Sequence, residues 1–331
     1  MDHRPPRHRG ARTLALAGAL LAGAVLAACG GSTPVVMTSG TWTVAHPDAA
    51  TTAGNGFFGV SCPTTTFCAA VDGSGDAVLW NGDRWSSPVQ ATTLGSLNSV
   101  SCTSPTFCVA LSGQVAVQFD GTAWTTSNAV GPAPSGPTGG QYQVSCTSPT
   151  FCASVNTAGV VSLYDGTTWG HDALVADGTA TKPVQNVSCA TPTFCVVVSA
   201  TGEIAVFDGT TWSHQTAPGQ SLLHSVSCPT PTFCMAVDLT GHAIVFDGTS
   251  WSDTRPMPGT GSLTYSVSCP SAGRCVVARS DGSVSVWQSG TWATPRPVLA
   301  DGSVASASVS CPTGAFCALV DSSGSAATYR G

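Results

Sequence analysis

Along most of the chain, short apolar runs alternate with polar turns in one recurring phrase. A clear copy runs from Val226 to Trp251, VSCPTPTFCMAVDLTGHAIVFDGTSW. Its pattern predicts four short strands. Strand a is the V-S-C segment, and strand b is F-C-x-A-V-D, followed by a D-x-x-G turn. Strand c is A-x-V-F, D-G then makes a two-residue hairpin of the kind that needs positive φ, and strand d begins at the tryptophan. Strands b and c are apolar at nearly every position, which suits strands buried on both faces rather than one.

The phrase occurs seven times, marked by the pairs Cys62/Cys68, Cys102/Cys108, Cys146/Cys152, Cys189/Cys195, Cys228/Cys234, Cys269/Cys275 and Cys311/Cys317. Successive first cysteines lie 39 to 44 residues apart. Four-stranded units of this length, stacked face to face around an axis, describe a β-propeller. The seventh unit stops at Tyr329-Arg330-Gly331 without a strand d. Ser39-Gly40-Thr41-Trp42 near the other end matches Ser289-Gly290-Thr291-Trp292 of the sixth unit. The expected fold is therefore all-β: a seven-bladed propeller of four-stranded antiparallel blades over residues 39–331, its N-terminal strand closing the last blade.

Composition changes the picture at the N-terminus. MDHRPPRHRGAR is basic, and LALAGALLAGAVLAA after it is apolar but short for a membrane span. Residues 1–28 read as an export signal and 29–38 as a tether. Without the signal the chain keeps seven basic and sixteen acidic residues, a formal charge of −9. That balance argues against nucleic acid as a partner. The pairs use 14 of 15 cysteines and leave Cys29. Strands a and b are antiparallel neighbours and each pair flanks their connection, so in an oxidising setting a disulfide is expected across it. Zinc is the poorer reading, because the spacing is not that of a zinc site and no histidines join in register.

Leu26-Ala27-Ala28-Cys29-Gly30 resembles a bacterial lipobox. The resemblance implies a diacylated Cys29 as first mature residue and display on the outer face of the cell membrane. The V-S…A-V-D-x-x-G…W phrase resembles the blades of tectonin-type lectin propellers. With the cysteines and the lipobox, the chain looks most like the tandem-repeat propeller lipoproteins of high-GC Gram-positive bacteria. Phe207–Trp212, FDGTTW, is similar to the sialidase Asp-box but one residue shorter between Asp and Gly. WD40 and kelch signatures are absent.

A binding site is sought where the blades differ. The a–b and c–d turns repeat, whereas the distance from each tryptophan to the next cysteine varies from 16 to 22 residues. The variable face thus carries the b–c turns and d–a connections. Two residues before each strand-a valine stand Phe58, Asn98, Tyr142, Gln185, His224, Tyr265 and Ala307. The first six are expected to ring the mouth of the channel, where aromatic rings and amides suit a neutral ligand. They read equally as unconstrained residues leading into a strand. Asp72, Asp238, Asp321 and Asn156 open the D-x-x-G turns and are expected to cap them. Asp72-Gly73-Ser74-Gly75-Asp76 is a candidate for Ca²⁺ with an incomplete ligand series, and no other cofactor is expected.

Three function classes follow. The first is a monomeric, lipid-anchored envelope module that binds a cell-wall or host glycan, or an envelope protein. The second is a sialidase- or glycosidase-like hydrolase built on Arg255, Arg279 and Arg296 near Tyr265 and Asp281. The third is a scaffold for envelope protein assembly.

Overall fold

The computed structural model describes Met1 and residues 40–47, 56–131, 142–174, 183–220, 222–259, 261–299 and 306–331. The signal, Cys29 and the tether, as well as Ser39, lie outside the described residues. Seven antiparallel sheets form a ring of blades, in strand order a-b-c-d. In the fifth blade these strands are Leu223–Thr230, Phe233–Asp238, His242–Phe246 and Arg255–Pro256. The seventh blade takes its outer strand from the N-terminus: Thr41–Ala45 pairs with Ala326–Arg330, setting Trp42 opposite Tyr329.

Strand b is buried along nearly its whole length in every blade, as in Phe233–Asp238, while outer strand Trp212–Thr216 is mostly exposed. The core lies between neighbouring blades. Val198, Ile204, Leu223, Val226, Ala236 and Ile244 close the seam between the fourth and fifth. Each fully buried Leu or Ile there contributes on the order of 2 kcal/mol. One 3₁₀ turn, Pro218–Gln220, is the helical content of the described residues.

Two repeated devices explain the constant letters. The first is the disulfide. All seven pairs are bonded as expected: Cys62–Cys68, Cys102–Cys108, Cys146–Cys152, Cys189–Cys195, Cys228–Cys234, Cys269–Cys275 and Cys311–Cys317. They flank the connection between strands a and b and lie deep beneath it. The second cysteine of each pair, namely Cys68, Cys108, Cys152, Cys195, Cys234, Cys275 or Cys317, is 0% exposed. Each sits on strand b, which neighbouring blades cover on both faces, and packs in an apolar seam; Cys234, for example, lies with Val198, Ile244 and Phe246. These seven residues are therefore core groups as well as cross-links, and none of them is available to a ligand.

The second device is a ring of hydrogen bonds between the blades. The Cys228 N–H donates to Ser188 Oγ of the preceding blade at 2.9 Å, and Cys269 N–H to Ser227 Oγ at 3.0 Å. The same bond joins Cys62 to Ser310, Cys102 to Ser61, Cys146 to Ser101, Cys189 to Ser145 and Cys311 to Ser268. The serine of V-S-C therefore stitches each inner strand to the next, around the whole ring. These N–H groups point away from strand b, so without the serines they would lack a protein partner.

The c–d hairpin departs from expectation in one detail. Its central residues are Gly-Thr rather than Asp-Gly: Asp208 N–H donates to Thr211 O, and Gly209 has φ 98°. The aspartate flanks the turn and accepts the Thr210 and Thr211 N–H groups, both at 2.8 Å. Such bonds, from Ala123 N–H foremost, hold the Asp120 carboxyl down at about 2. The tryptophan that follows pairs across the hairpin with an aromatic of strand c, as Trp212 does with Phe207.

Candidate functional site

The inner strands leave a channel whose mouth opens into a cavity of about 330 Å³. Phe58, Asn98, Gln185, His224 and Tyr265 line it together, with Ala307 beside them. Tyr142 does not. It is 2% exposed, packed between the second and third blades, its hydroxyl 3.5 Å from Asn156 Nδ2. Burial pushes its phenol up. Gln143 takes the channel position instead.

A β-bulge explains the difference. Strand a of the fifth blade shifts register between Leu223 and Ser225, so the inserted His224 turns into the channel while Leu223 stays in the core. The same shift occurs at Phe57/Gly59, Val184/Asn186 and Thr264/Ser266. A bulge re-aims a side chain at the cost of one unpaired residue. The third blade pairs Tyr142 with Asn156 and Gln143 with Val155 without a shift, so simple alternation sends Tyr142 inward. Phe57, Leu97, Val184, Leu223 and Thr264 fill the core position in their blades, and in the third blade Tyr142 fills it.

Among the described residues, no ionised side chain lines the cavity. The His224 and Tyr265 rings meet edge to face at 6.3 Å, and burial lowers the His224 pKa from 6.5, keeping the imidazole neutral. Gln185 Nε2 donates to Pro183 O at 3.4 Å, and Asn98 Nδ2 to Ser96 Oγ at 3.3 Å. Beneath the mouth a second chamber of about 140 Å³ continues between the inner strands. This wall offers amide and hydroxyl groups, two phenyl-type rings and an uncharged imidazole.

The arginines expected to converge do not. Arg279 is 1% exposed and donates to Pro258 O, Gly259 O and Ser285 Oγ. Arg296 donates to Gly40 O of the closing strand at 2.9 Å. Arg255 lies on an outer notch, away from Tyr265. Asp281 accepts from Ser262 and Ser283, and these bonds together with the Arg279 charge hold its carboxyl low against the burial that would raise it.

The turn aspartates cap as expected. Asp72 Oδ1 accepts the Ser74 and Asp76 N–H groups at 2.9 and 2.7 Å, and Asp238, Asp321 and Asn156 repeat the arrangement. Asp76 is raised by burial and then by the Asp72 charge. Among the described residues, no three His, Cys, Asp or Glu side chains gather as a metal site.

Two further concavities sit on the rim, of about 220 and 420 Å³. Each is the notch between one blade and the aromatic pair of the next, and in both that pair is two tryptophans: Trp287 with Trp292, and Trp80 with Trp85. The other blades have Phe or Tyr at the strand-c position. In the larger notch the Arg330 guanidinium lies 5.6 Å from the Trp80 ring centre. Sequence reasoning passed over both notches, although the exchange of Phe for Trp signals them.

No protein-family pattern matches the chain, and no curated protein does. Among solved structures it is similar to "YCF48 bound to D1 peptide", with TM-score 0.65 and 14% identity over 88% of this chain and 97% of that one. It is also similar to the WD40 β-propeller domain of Doa1, at 0.64 and 14% over 84% and 94%. A third is YCF48 from Cyanidioschyzon merolae, at 0.64 and 11% over 87% and 98%. At these identities the likeness shows the fold: a seven-bladed β-propeller.

Proposed function

We propose that this chain is a non-catalytic binding propeller that takes an uncharged segment of a polypeptide partner into the channel-mouth cavity. In this reading it is exported and held at the outer face of the cell membrane by a lipid on Cys29. One observation carries it: among the described residues, the cavity of about 330 Å³ is lined by amides, hydroxyls, aromatic rings and a neutral imidazole, with no ionised group. Such a wall matches peptide groups and small side chains, and it disfavours charged ligands, which would lose hydration without compensation. A fold neighbour described as bound to a peptide supports the choice of polypeptide. The seven disulfides suit an extracellular address.

A neutral glycan is the second reading. The Phe58 and Tyr265 rings beside Asn98, Gln143 and Gln185 favour it, since a sugar stacks its apolar face and bonds its hydroxyls. A hydrolase draws no support from this cavity, whose wall among the described residues holds neither a carboxylate nor an arginine.

The test is to probe the mature protein against arrays of uncharged peptides and of glycans, with calcium and with EDTA. Peptide binding that Tyr265→Ala abolishes, and that EDTA leaves unchanged, is the expected result. Hits on the glycan array alone would replace this reading by the second. Binding that survives Tyr265→Ala intact would place the site elsewhere.

A further inference from the structure

A second ring of hydrogen bonds lies just above the first, nearer the cavity. Here the N–H of each strand-a valine faces the residue that precedes the V-S-C valine of the blade before it. Val60 N–H donates to Ser308 Oγ at 3.3 Å, Val144 to Ser99 at 3.2 Å and Val267 to Ser225 at 3.1 Å. Val309 donates to Ser266 Oγ and Val226 to Asn186 Oδ1, both at 3.3 Å. Five of seven positions are thus capped by a short polar side chain.

The remaining two residues in this register are Gly59, facing Val100, and Gln143, facing Val187. Among the described residues no side chain caps either N–H. Of these two valines, only Val100 lines the inner chamber, beside Gly59, Asn98 and Phe58. The space at Gly59 is small and well defined: a Cβ there would stand 3.3 Å from the Val100 nitrogen. Gly59 is not among the residues of positive φ, so its backbone does not require glycine. What glycine changes is access: it leaves the Val100 N–H open to the channel where other blades close it.

We infer that the Val100 N–H, uncovered by Gly59, is the donor that anchors a backbone carbonyl oxygen of the bound peptide. This rests on the peptide reading of the cavity and adds an orientation to it. The oxygen enters the gap between the first and second blades, completing the second ring as a serine hydroxyl does elsewhere. The Asn98 amide stands beside the gap to meet the neighbouring peptide group, and Phe58 flanks it. The preference arises from giving this N–H an acceptor held in register, as the serine hydroxyls do in other blades.

The experiment titrates the full ¹⁵N-labelled protein with an uncharged blocked peptide, N-acetyl-trialanine amide, and follows amide and ring resonances. The expected result is a shift at Val100 together with the His224 and Tyr265 rings, and smaller shifts at the capped amides of Val60, Val144, Val226, Val267 and Val309. Gly59→Ser, which supplies the missing hydroxyl, is expected to remove the Val100 response and weaken binding roughly fivefold to tenfold. Its disulfides and circular dichroism should stay as in the wild type. Shifts at His224 and Tyr265 with none at Val100 would overturn the anchor and leave the cavity reading standing. So would a folded Gly59→Ser protein that binds unchanged. Silence at all cavity groups would overturn the cavity reading itself, and the anchor with it. The wild-type comparison among seven equivalent valines needs no variant, so the inference stays refutable even where the substitution misfolds.

Discussion

The two ends of strand a are built on opposite plans. At its cysteine end all seven blades make the same two contacts, a disulfide to strand b and a Cys N–H bond to the serine of the preceding blade. A few residues earlier, at the channel mouth, the side chains are Phe58, Asn98, Gln143, Gln185, His224 and Tyr265. The contrast separates two tasks within one strand. A contact repeated seven times can set the ring's geometry without depending on any one blade. A mouth of unlike residues gives a sevenfold scaffold the asymmetry that recognising one ligand needs.

Tyr142 and Tyr265 put the sharpest strain on this comparison, because they occupy the same place relative to V-S-C and opposite places in the fold. Tyr142→Ala empties a buried site between blades and is expected to cost about 3–5 kcal/mol. The Gln143 side of the cavity should survive in whatever fraction remains folded. Tyr265→Ala is expected to cost less than about 1 kcal/mol and to remove peptide binding. Chemical denaturation of the two variants, read beside binding at low denaturant, checks both. Equal stability losses would mean that the bulge does not sort the two tyrosines.

The same pair marks how far the sequence could be read. Blade number, strand order, N-terminal closure, disulfide pairing and turn caps all follow from letters that recur, and each recurs because one local contact demands it. The depth of the disulfides was less plain, since burial of Cys68 or Cys234 comes from the neighbouring blade and not from the unit's own phrase. The serine ring was visible as an unvarying S, but its partner was not, since the bond leaves one blade for the next. Of the six residues expected at the mouth, the structure brings Phe58, Asn98, Gln185, His224 and Tyr265 together. Tyr142 went astray because a bulge breaks the two-residue period in other blades, where His224 and Tyr265 are inserted residues, and the third blade pairs Tyr142 with Asn156 in plain alternation. The converging arginines failed for a related reason: the side chains of Arg279 and Arg296 brace carbonyls of Pro258, Gly259 and Gly40.

The repeated end yields a prediction of intermediate size. Replacing both cysteines of one pair by alanine is expected to lower stability by about 2 kcal/mol, from the entropy of so short a loop. The comparison is sharpened by doing this twice, at Cys102/Cys108 and at Cys228/Cys234. If the seven contacts are equivalent, the two losses should agree within roughly a few tenths of a kcal/mol, because both pairs are buried alike. Midpoints from urea titration measure this. A loss confined to one blade would show that the ring has a weak seam, and that the repeats are alike in sequence more than in energy.

His224 supplies the smallest expected effect and tests whether the mouth depends on staying uncharged. Burial lowers its pKa below the ordinary 6.5. Above that value the imidazole is neutral in folded and unfolded chains alike, and it contributes no pH dependence. As the pH falls through 6.5 the unfolded chain takes up the proton first, so stability declines until the lower folded pKa is passed. Below it the penalty is constant. Peptide binding should weaken only as the pH falls through the lower folded pKa, because protonation of the folded protein then places a charge in a cavity lined by neutral groups. The curve is read as the difference between wild type and His224→Gln, which cancels the other histidines. Thermal melts and peptide titrations from about pH 8 to about pH 5 make the measurement. A difference that rises on acidification would mean that the imidazolium finds a partner at the mouth, and that the cavity recognises charge after all.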